Sequence, residues 1–112
     1  GAAIGTSQKE LIRAKNLIDS GVDLIVIDTA HGHSNNVLKI LNKIKKFSEK
    51  TSICVGNIAT GDAAKLLYNS GADILKVGIG PGSICTTRMV AGIGVPQITA
   101  LLNVKKAMNK KF

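Results

Sequence analysis

The sequence contains few aromatic residues, few cysteines and no long hydrophobic run. It has no tryptophan and only three aromatic side chains in 112 residues, so it offers no platform for stacking nucleic-acid bases. Its two cysteines lack paired ligand spacing, which argues against structural zinc, and nothing indicates secretion, so we expect reduced thiols. The longest apolar stretch, residues 24–27, is far shorter than the roughly 20 residues of a membrane helix. No signal segment opens the chain, so we expect a cytoplasmic protein without a membrane partner.

The composition is that of a globular chain with excess positive charge. Hydrophobic residues make up 45% and charged residues 20%, which fits one small domain or a piece of a larger one. The formal net charge is +8, and most of the lysines fall in two helix-like segments. They are Lys39, Lys43, Lys45, Lys46 and Lys50, then Lys105, Lys106, Lys110 and Lys111. Solvated helix faces explain this charge better than a nucleic-acid surface.

An internal repeat indicates how the chain is organised. Residues 17–25 are echoed by residues 67–75, and in each copy a helix ends, the chain turns at Gly21 or Gly71, and a strand begins. The offset of 50 residues (71 − 21) spans two strand-helix units. The resulting pitch of about 25 residues is near the roughly 30 residues per unit of an eight-stranded (β/α)8 barrel.

The apolar pattern predicts an α/β fold. Predicted strands cover residues 2–5, 24–28, 52–57 and 74–77, and predicted helices cover residues 7–20, 35–47, 61–69 and 96–106. Strands rich in Ile and Val with little alternation favour a parallel sheet covered by helices. Three full strands and a stub cannot close a barrel, so the sequence predicts three to four units of a TIM barrel with open edges. Residues 1–112 are then its central portion.

Two polar residues end predicted strands, where parallel barrels carry their active sites. Asp28 could accept hydrogen bonds from ribose hydroxyls, or it could cap the next helix. The sequence pattern alone favours the two interpretations about equally. Asn57 could orient a substrate, although an Asn after Gly is also an ordinary turn residue. Cys54, inside the third strand, is expected to be packed core.

The most informative stretch is the glycine-rich run at residues 76–88, Lys-Val-Gly-Ile-Gly-Pro-Gly-Ser-Ile-Cys-Thr-Thr-Arg. Its glycines let the backbone approach a ligand, while Pro81 limits the freedom of the loop. Its N–H groups with the Ser83 hydroxyl could hold a phosphate, and its carbonyls could hold a cation. Cys85 is a candidate nucleophile. Alone, a Gly-x-Gly-x-Gly pattern fits a tight turn equally well.

The run resembles the catalytic cysteine loop of the inosine-5′-monophosphate dehydrogenase and GMP reductase family, and the resemblance covers almost the whole chain. The other matching segments, in the order of the family, are Gly-Ala-Ala-Ile-Gly (1–5), Asp-Thr-Ala-His-Gly-His-Ser (28–34), Val-Gly-Asn-Ile-Ala-Thr (55–60) and Gly-Ile-Gly-Val-Pro-Gln (92–97). The His-Gly-His-Ser motif at residues 31–34 and the Met-Val-Ala motif at residues 89–91 favour the dehydrogenase, and the reductase is the close alternative.

The resemblance implies NAD-dependent oxidation of inosine monophosphate (IMP) to xanthosine monophosphate, a step in guanine nucleotide biosynthesis. Cys85 matches the nucleophile that adds to C2 of the purine, leaving a thioimidate for water to hydrolyse, and Thr87 matches a residue implicated in activating that water. Ser83 matches a residue that binds the substrate phosphate, and Asp28 matches one that binds the nicotinamide-side ribose. The stretch that lies against NAD in the family corresponds to Gly78, Ile79 and Gly80. The backbone carbonyls that coordinate K⁺ in the family correspond to those of Gly80, Gly82 and Cys85.

The chain also departs from the family. It lacks the later barrel strands, the mobile flap bearing an Arg-Tyr pair and the regulatory CBS insert. We therefore expect the complete protein, as a homotetramer, to be active and residues 1–112 alone to be inactive. Two other hypotheses are a noncatalytic barrel piece that folds by self-association and a phosphate-binding barrel piece with other chemistry.

Overall fold

Strands and helices alternate along the chain. The structure is a computed structural model and describes residues 1–92 and 94–109. In chain order the elements are β1 (Ala2–Ile4), α1 (Gln8–Asp19), β2 (Leu24–Asp28), α2 (Asn35–Phe47), β3 (Ser52–Ile58), α3 (Gly61–Asn69), β4 (Ile74–Val77), α4 (Thr87–Ala91) and α5 (Gln97–Met108). The expected α/β architecture is confirmed.

The four strands form one parallel sheet in the order β1-β2-β3-β4. Each strand pairs with the next along the chain, as in a segment of a TIM barrel. The sheet is not closed, so β1 and β4 are its edges in the described part of the chain. β1 is a stub of three residues and ends one residue before the end of the strand predicted at residues 2–5. No helix among the described residues is long and apolar enough to cross a membrane.

The main core lies between one face of the sheet and the helices. Ile25 and Ile27 of β2 and Val55 of β3 are fully buried and belong to one cluster with the apolar stripe of α2. That stripe consists of Val37, Ile40, Leu41 and Ile44. Burying each such side chain contributes about 1.5–3 kcal/mol, so this cluster holds the strands in register. Residues on the opposite face include Val26, Cys54 and Ile74, which are aligned across three strands.

Hydroxyl side chains fix where three helices begin. Ser7, Ser34 and Thr60 each accept a hydrogen bond from the N–H three residues later, at the starts of α1, α2 and α3. Because Ser34 caps α2, the alternative in which Asp28 caps that helix is wrong. Asn57 lies inside β3, so its interpretation as a turn residue is also wrong.

The two copies of the repeat end their helices in the same way. Gly21 and Gly71 have φ values of 88° and 101°, a conformation that favours glycine. The residues that follow them donate to the backbone five residues earlier, Val22 N to Leu17 O at 3.1 Å and Ala72 N to Leu67 O at 3.0 Å. This is the hydrogen bond of a Schellman turn, and it directs each helix into the next strand.

The structure adds one element that the sequence did not predict. Helix α4 covers Thr87–Ala91 and ends at Gly92, whose φ is 64°. A single turn beside a glycine-rich run carries too little periodicity to be detected in the sequence. The other predicted bounds agree within a few residues, with β3 extending to Ile58 and α5 to Met108. Lys110 and Lys111 lie outside the described residues, as does Ile93 of the last matching segment.

The first prediction concerns Asp73, which accepts hydrogen bonds from Ile53 N at 2.8 Å and Lys45 Nζ at 2.7 Å. Partial burial alone would raise the pKa of this carboxyl, but the Lys45 and Ile53 hydrogen bonds together with the Lys45 charge hold it below the ordinary 3.8. A lowered pKa stabilises the fold above the pKa of the unfolded chain, and this stability disappears as the pH falls through the folded value.

We expect Asp73→Asn to lower the free energy of unfolding at pH 7 by about 1 kcal/mol, a modest value because the carboxylate is half-exposed. The difference from the parent should shrink as the pH falls below 3.8. Urea unfolding at several pH values measures both effects. Asp23→Asn, the equivalent change in the first copy of the repeat, is the control. Equal losses for the two variants would contradict the role assigned to Asp73.

Candidate functional site

The carboxyl ends of β2, β3 and β4 border a cleft of about 420 Å³. Its lining residues are Asp28, Thr29, Ala30, Asn57, Lys76, Gly78, Ile79, Gly80, Pro81, Cys85 and Thr87. Seven of the nine residues that the sequence assigns to a site therefore lie together. The remaining two, Gly82 and Ser83, are exposed on the cysteine loop, by which we mean residues 78–86 between β4 and α4, and they do not line the cleft.

Cys85 is exposed at the mouth of this cleft, and its sulfur contacts the hydroxyl of Thr87 at 3.2 Å. The hydrogen bond from the Thr87 side chain, then that from its backbone N–H and the nearby charge of Arg88, lower the pKa of the thiol. A lowered pKa increases the thiolate fraction at neutral pH, and thiolate is the reactive form. The environment of Cys85 therefore favours its thiolate form.

Cys54 has the opposite environment. Its side chain is 8% exposed within β3, as expected for a packed thiol. Burial raises the pKa of the Cys54 thiol; the Lys76 charge lowers this pKa and the Asp28 charge raises it, both by less than burial does. Both cysteines are free. Of the two thiols, only Cys85 is both accessible and electrostatically activated.

Asp28 forms an ion pair with Lys76 across the strand that separates them. The Lys76 Nζ to Asp28 Oδ1 distance is 3.0 Å, and both side chains are about half exposed. Asp28 is aligned with Gly56 on β3, and Gly56 with Lys76 on β4. A Cβ at position 56 would lie 2.6 Å from Lys76 Cβ and 2.7 Å from Lys76 O. Because Gly56 has no side chain, Lys76 can pack against its backbone and reach Asp28 on the other side.

Asn57 lines the cleft and holds the start of the cysteine loop. Its Nδ2 donates to Gly78 O at 2.8 Å, which ties β3 to the start of the cysteine loop. Its Oδ1 is buried and has no hydrogen-bond partner among the described residues. Buried polar atoms are rarely left unpaired, so this oxygen calls for an N–H or O–H donor that the described residues do not supply.

Gly78 is closely approached by a neighbouring side chain. Gln97, the first residue of α5, donates from Nε2 to Val77 O at 3.1 Å. A Cβ at Gly78 would lie 2.5 Å from Gln97 Oε1. Gly78 therefore makes room for Gln97 as well as lining the cleft. This contact was not predictable from the sequence, because the two residues are far apart in the chain.

A cation site here would have to use backbone oxygens. Among residues 1–92 and 94–109, no three His, Cys, Asp or Glu side chains form a metal-binding group. Of the three carbonyls that the resemblance assigns to K⁺, that of Gly82 accepts the Cys85 N–H at 3.1 Å and retains one lone pair. Three carbonyls from one loop make only part of a coordination shell.

Comparison with known proteins gives a consistent result. The family model described as IMP dehydrogenase / GMP reductase domain matches residues 1–111. Inosine-5′-monophosphate dehydrogenase from Staphylococcus aureus strain Mu50 is 59% identical over 100 residues, covering 89% of this chain and 20% of that protein. The enzyme of the same name from Aquifex aeolicus is 52% identical over 107 residues, covering 96% of this chain and 22% of the relative. The chain thus spans about a fifth of the length of these relatives.

The second prediction concerns the close packing of Lys76 against Gly56. Gly56→Ala should destabilise the fold by about 1–3 kcal/mol, because the added methyl overlaps the β-carbon and carbonyl oxygen of Lys76. Gly5→Ala is the matched control, since its Cβ would meet Glu10 Cγ at an ordinary 3.5 Å. The control should change the free energy of unfolding by less than about 0.5 kcal/mol. Equal behaviour of the two variants in urea unfolding would contradict the assignment.

The third prediction concerns the two thiols. At neutral pH, iodoacetamide should modify Cys85 at least about tenfold faster than Cys54, as followed by peptide mass spectrometry. Thr87→Val should move the midpoint of the pH dependence at Cys85 upward, because the hydroxyl that lowers the pKa of this thiol is lost. Thr86→Val is the control, since Thr86 makes no side-chain capping bond to α4. An unchanged midpoint in Thr87→Val would rule out the hydroxyl as the cause.

Proposed function

Because this chain belongs to the IMP dehydrogenase / GMP reductase family, we propose that the protein containing it oxidises IMP to xanthosine monophosphate with NAD. The observation that carries the proposal is the activated thiol of Cys85 at the mouth of a cleft shared with Asp28 and Asn57. The relatives from Staphylococcus aureus and Aquifex aeolicus carry the dehydrogenase name, which supports this activity over that of GMP reductase.

Residues 1–112 form the central portion of the catalytic barrel in this proposal. Two facts support it, the open four-stranded sheet and the small share of each relative that the chain covers. The remaining strands, the flap and any regulatory CBS domain then belong to parts of the protein outside this chain. Residues 1–112 alone should not turn over substrate, because the partners of Cys85 would be missing.

The chemical role of Cys85 is nucleophilic. Its thiolate attacks C2 of the purine, so that an S–C2 bond forms, and the hydrogen at C2 leaves as hydride. NAD, when bound, accepts that hydride. Water then adds to C2 of the thioimidate, the S–C2 bond breaks, and xanthosine monophosphate leaves with the thiol regenerated. The Thr87 hydroxyl, 3.2 Å from the sulfur, stabilises the thiolate, and we assign it the further task of orienting the water.

Other residues of the chain bind and orient in this proposal. The Ser83 hydroxyl holds the substrate phosphate, and the unpartnered Oδ1 of Asn57 accepts a hydrogen bond from the substrate. Asp28 accepts the ribose hydroxyls of NAD, a task that suits a half-exposed carboxylate held by Lys76. Gly78, Ile79 and Gly80 line the cleft on the NAD side.

We also propose a K⁺ site, a quaternary structure and a cell compartment for the complete protein. The carbonyls of Gly80, Gly82 and Cys85 supply part of a K⁺ shell, and another segment supplies the rest. The protein is a homotetramer in the cytoplasm and does not bind nucleic acid. The scarcity of aromatic residues and the placement of six lysines on the helices α2 and α5 support the last point.

The fourth prediction tests the activity in the complete protein. IMP and NAD should yield NADH, and Cys85→Ala should abolish turnover because no covalent bond can form. Cys54→Ala is the control and should retain activity, since Cys54 is buried outside the cleft lining. A 6-chloropurine nucleotide should label Cys85 alone. Normal turnover in Cys85→Ala would refute the mechanism, and oxidation of a reduced dinucleotide with GMP would favour the reductase.

A further inference from the structure

Arg88 joins the two ends of the chain segment that connects β4 to α5. Its Nε donates to Ile79 O at 2.8 Å, just after β4, and its Nη2 donates to Val95 O at 2.6 Å, just before α5. The side chain is partly buried, unlike the exposed residues 81–86. One guanidinium therefore connects two backbone positions that lie 16 residues apart (95 − 79).

Two glycines provide the space through which this side chain passes. A Cβ at Gly94 would lie 2.6 Å from Arg88 Cγ and 2.7 Å from both Cδ and Nε. A Cβ at Gly80 would lie 3.2 Å from Arg88 Cγ. The backbone thus lies against the stem of Arg88 on two sides, and larger residues at these positions would displace it.

The rest of the segment has no comparable attachment. Among the described residues, the other hydrogen bonds of residues 81–92 stay within that segment, such as Cys85 N to Gly82 O and Met89 N to Thr86 O. Arg88 also directly follows Thr87, whose hydroxyl contacts the Cys85 sulfur. The position of this thiol and hydroxyl relative to the sheet therefore depends on how Arg88 is held.

We propose that Arg88 is a positioning residue that fixes Cys85 and Thr87 over the carboxyl edge of the sheet by binding Ile79 O and Val95 O together. The consequence for catalysis rests on the proposed function, whereas the consequence for the loop does not. A lysine is a poor substitute, because its single ammonium lacks the rigid set of diverging N–H donors that reaches both carbonyls.

The kinetic test uses Arg88→Lys and Arg88→Met in the complete protein. Misplacing the nucleophile should lower kcat by about 100-fold in Arg88→Met, with a smaller loss in Arg88→Lys. KM for each substrate should stay within about threefold, because Arg88 is not placed among the substrate contacts. Arg13→Met is the control, since the other arginine of the chain lies on α1 and contacts Ala3 and Glu10. Values of kcat within about twofold of the parent for both Arg88 variants would overturn the proposal.

Hydrogen exchange gives a readout that needs neither substrate nor catalysis. The hydrogen-bonded amides of this segment, those of Cys85, Met89, Val90 and Gly92, should exchange about tenfold faster in Arg88→Met and at the parent rate in Arg13→Met. If exchange rises but the parent does not oxidise IMP, the proposed function fails and the role of Arg88 stands. If the parent oxidises IMP but exchange and kcat do not respond to Arg88→Met, the role of Arg88 is refuted.

Arg88→Lys, which keeps a long charged side chain, covers the case in which Arg88→Met does not fold, and a double-mutant cycle tests the contact between Gly94 and Arg88. Gly94→Ala should reduce kcat strongly in the parent, because the methyl overlaps the Arg88 stem. In an Arg88→Ala background the same change should lower kcat by a smaller factor, since the overlapping Arg88 atoms are gone and only the backbone strain at the positive φ of residue 94 remains. Equal effects of Gly94→Ala in both backgrounds would show that Gly94 does not act through Arg88 and would overturn the proposal.

Discussion

The site depends on the parallel register of β2, β3 and β4, which brings three strand ends to one edge of the sheet. Asp28, Gly56 and Lys76 are aligned there across adjacent strands, so the two charged residues meet above a glycine. The register is held from the opposite face, where Ile25, Ile27 and Val55 are buried with the stripe of α2. A one-residue slip would turn these side chains to the wrong face, separating the ion pair and exposing the core together.

Glycines in this edge serve mainly to admit long polar side chains. Gly56 lies against Lys76, Gly78 against Gln97, and Gly80 and Gly94 against Arg88. Each of these side chains donates hydrogen bonds to another part of the fold. Lys76 bonds to Asp28, and Gln97 bonds to Val77 O. Arg88 bonds to both Ile79 O and Val95 O. The cysteine loop is therefore shaped by side chains packed on glycine backbones, in addition to the conformational freedom that glycine provides.

Much of this edge follows from the sequence because strand ends are local signals. Asp28 ends a strand with a clear apolar pattern, Asn57 lies one residue before the end of another, and Cys85 lies in a run that is specific to one family. The ion pair of Lys76 and the contacts of Arg88 and Gln97 were not predictable, because they join residues that only the fold brings together. Helix α4 was missed for a different reason, since one helical turn has no periodicity to detect.

The central claim is that Cys85, held at this edge, forms a covalent bond with the purine of IMP. The most direct measurement is peptide mass mapping after rapid acid quenching of the complete protein during turnover. The account predicts that the peptide containing Cys85 gains the mass of IMP less two hydrogen atoms, one lost as hydride and one as the thiol proton, while the Cys54 peptide is unchanged. Steady turnover with no such mass on the Cys85 peptide, or with the mass on Cys54, would contradict it.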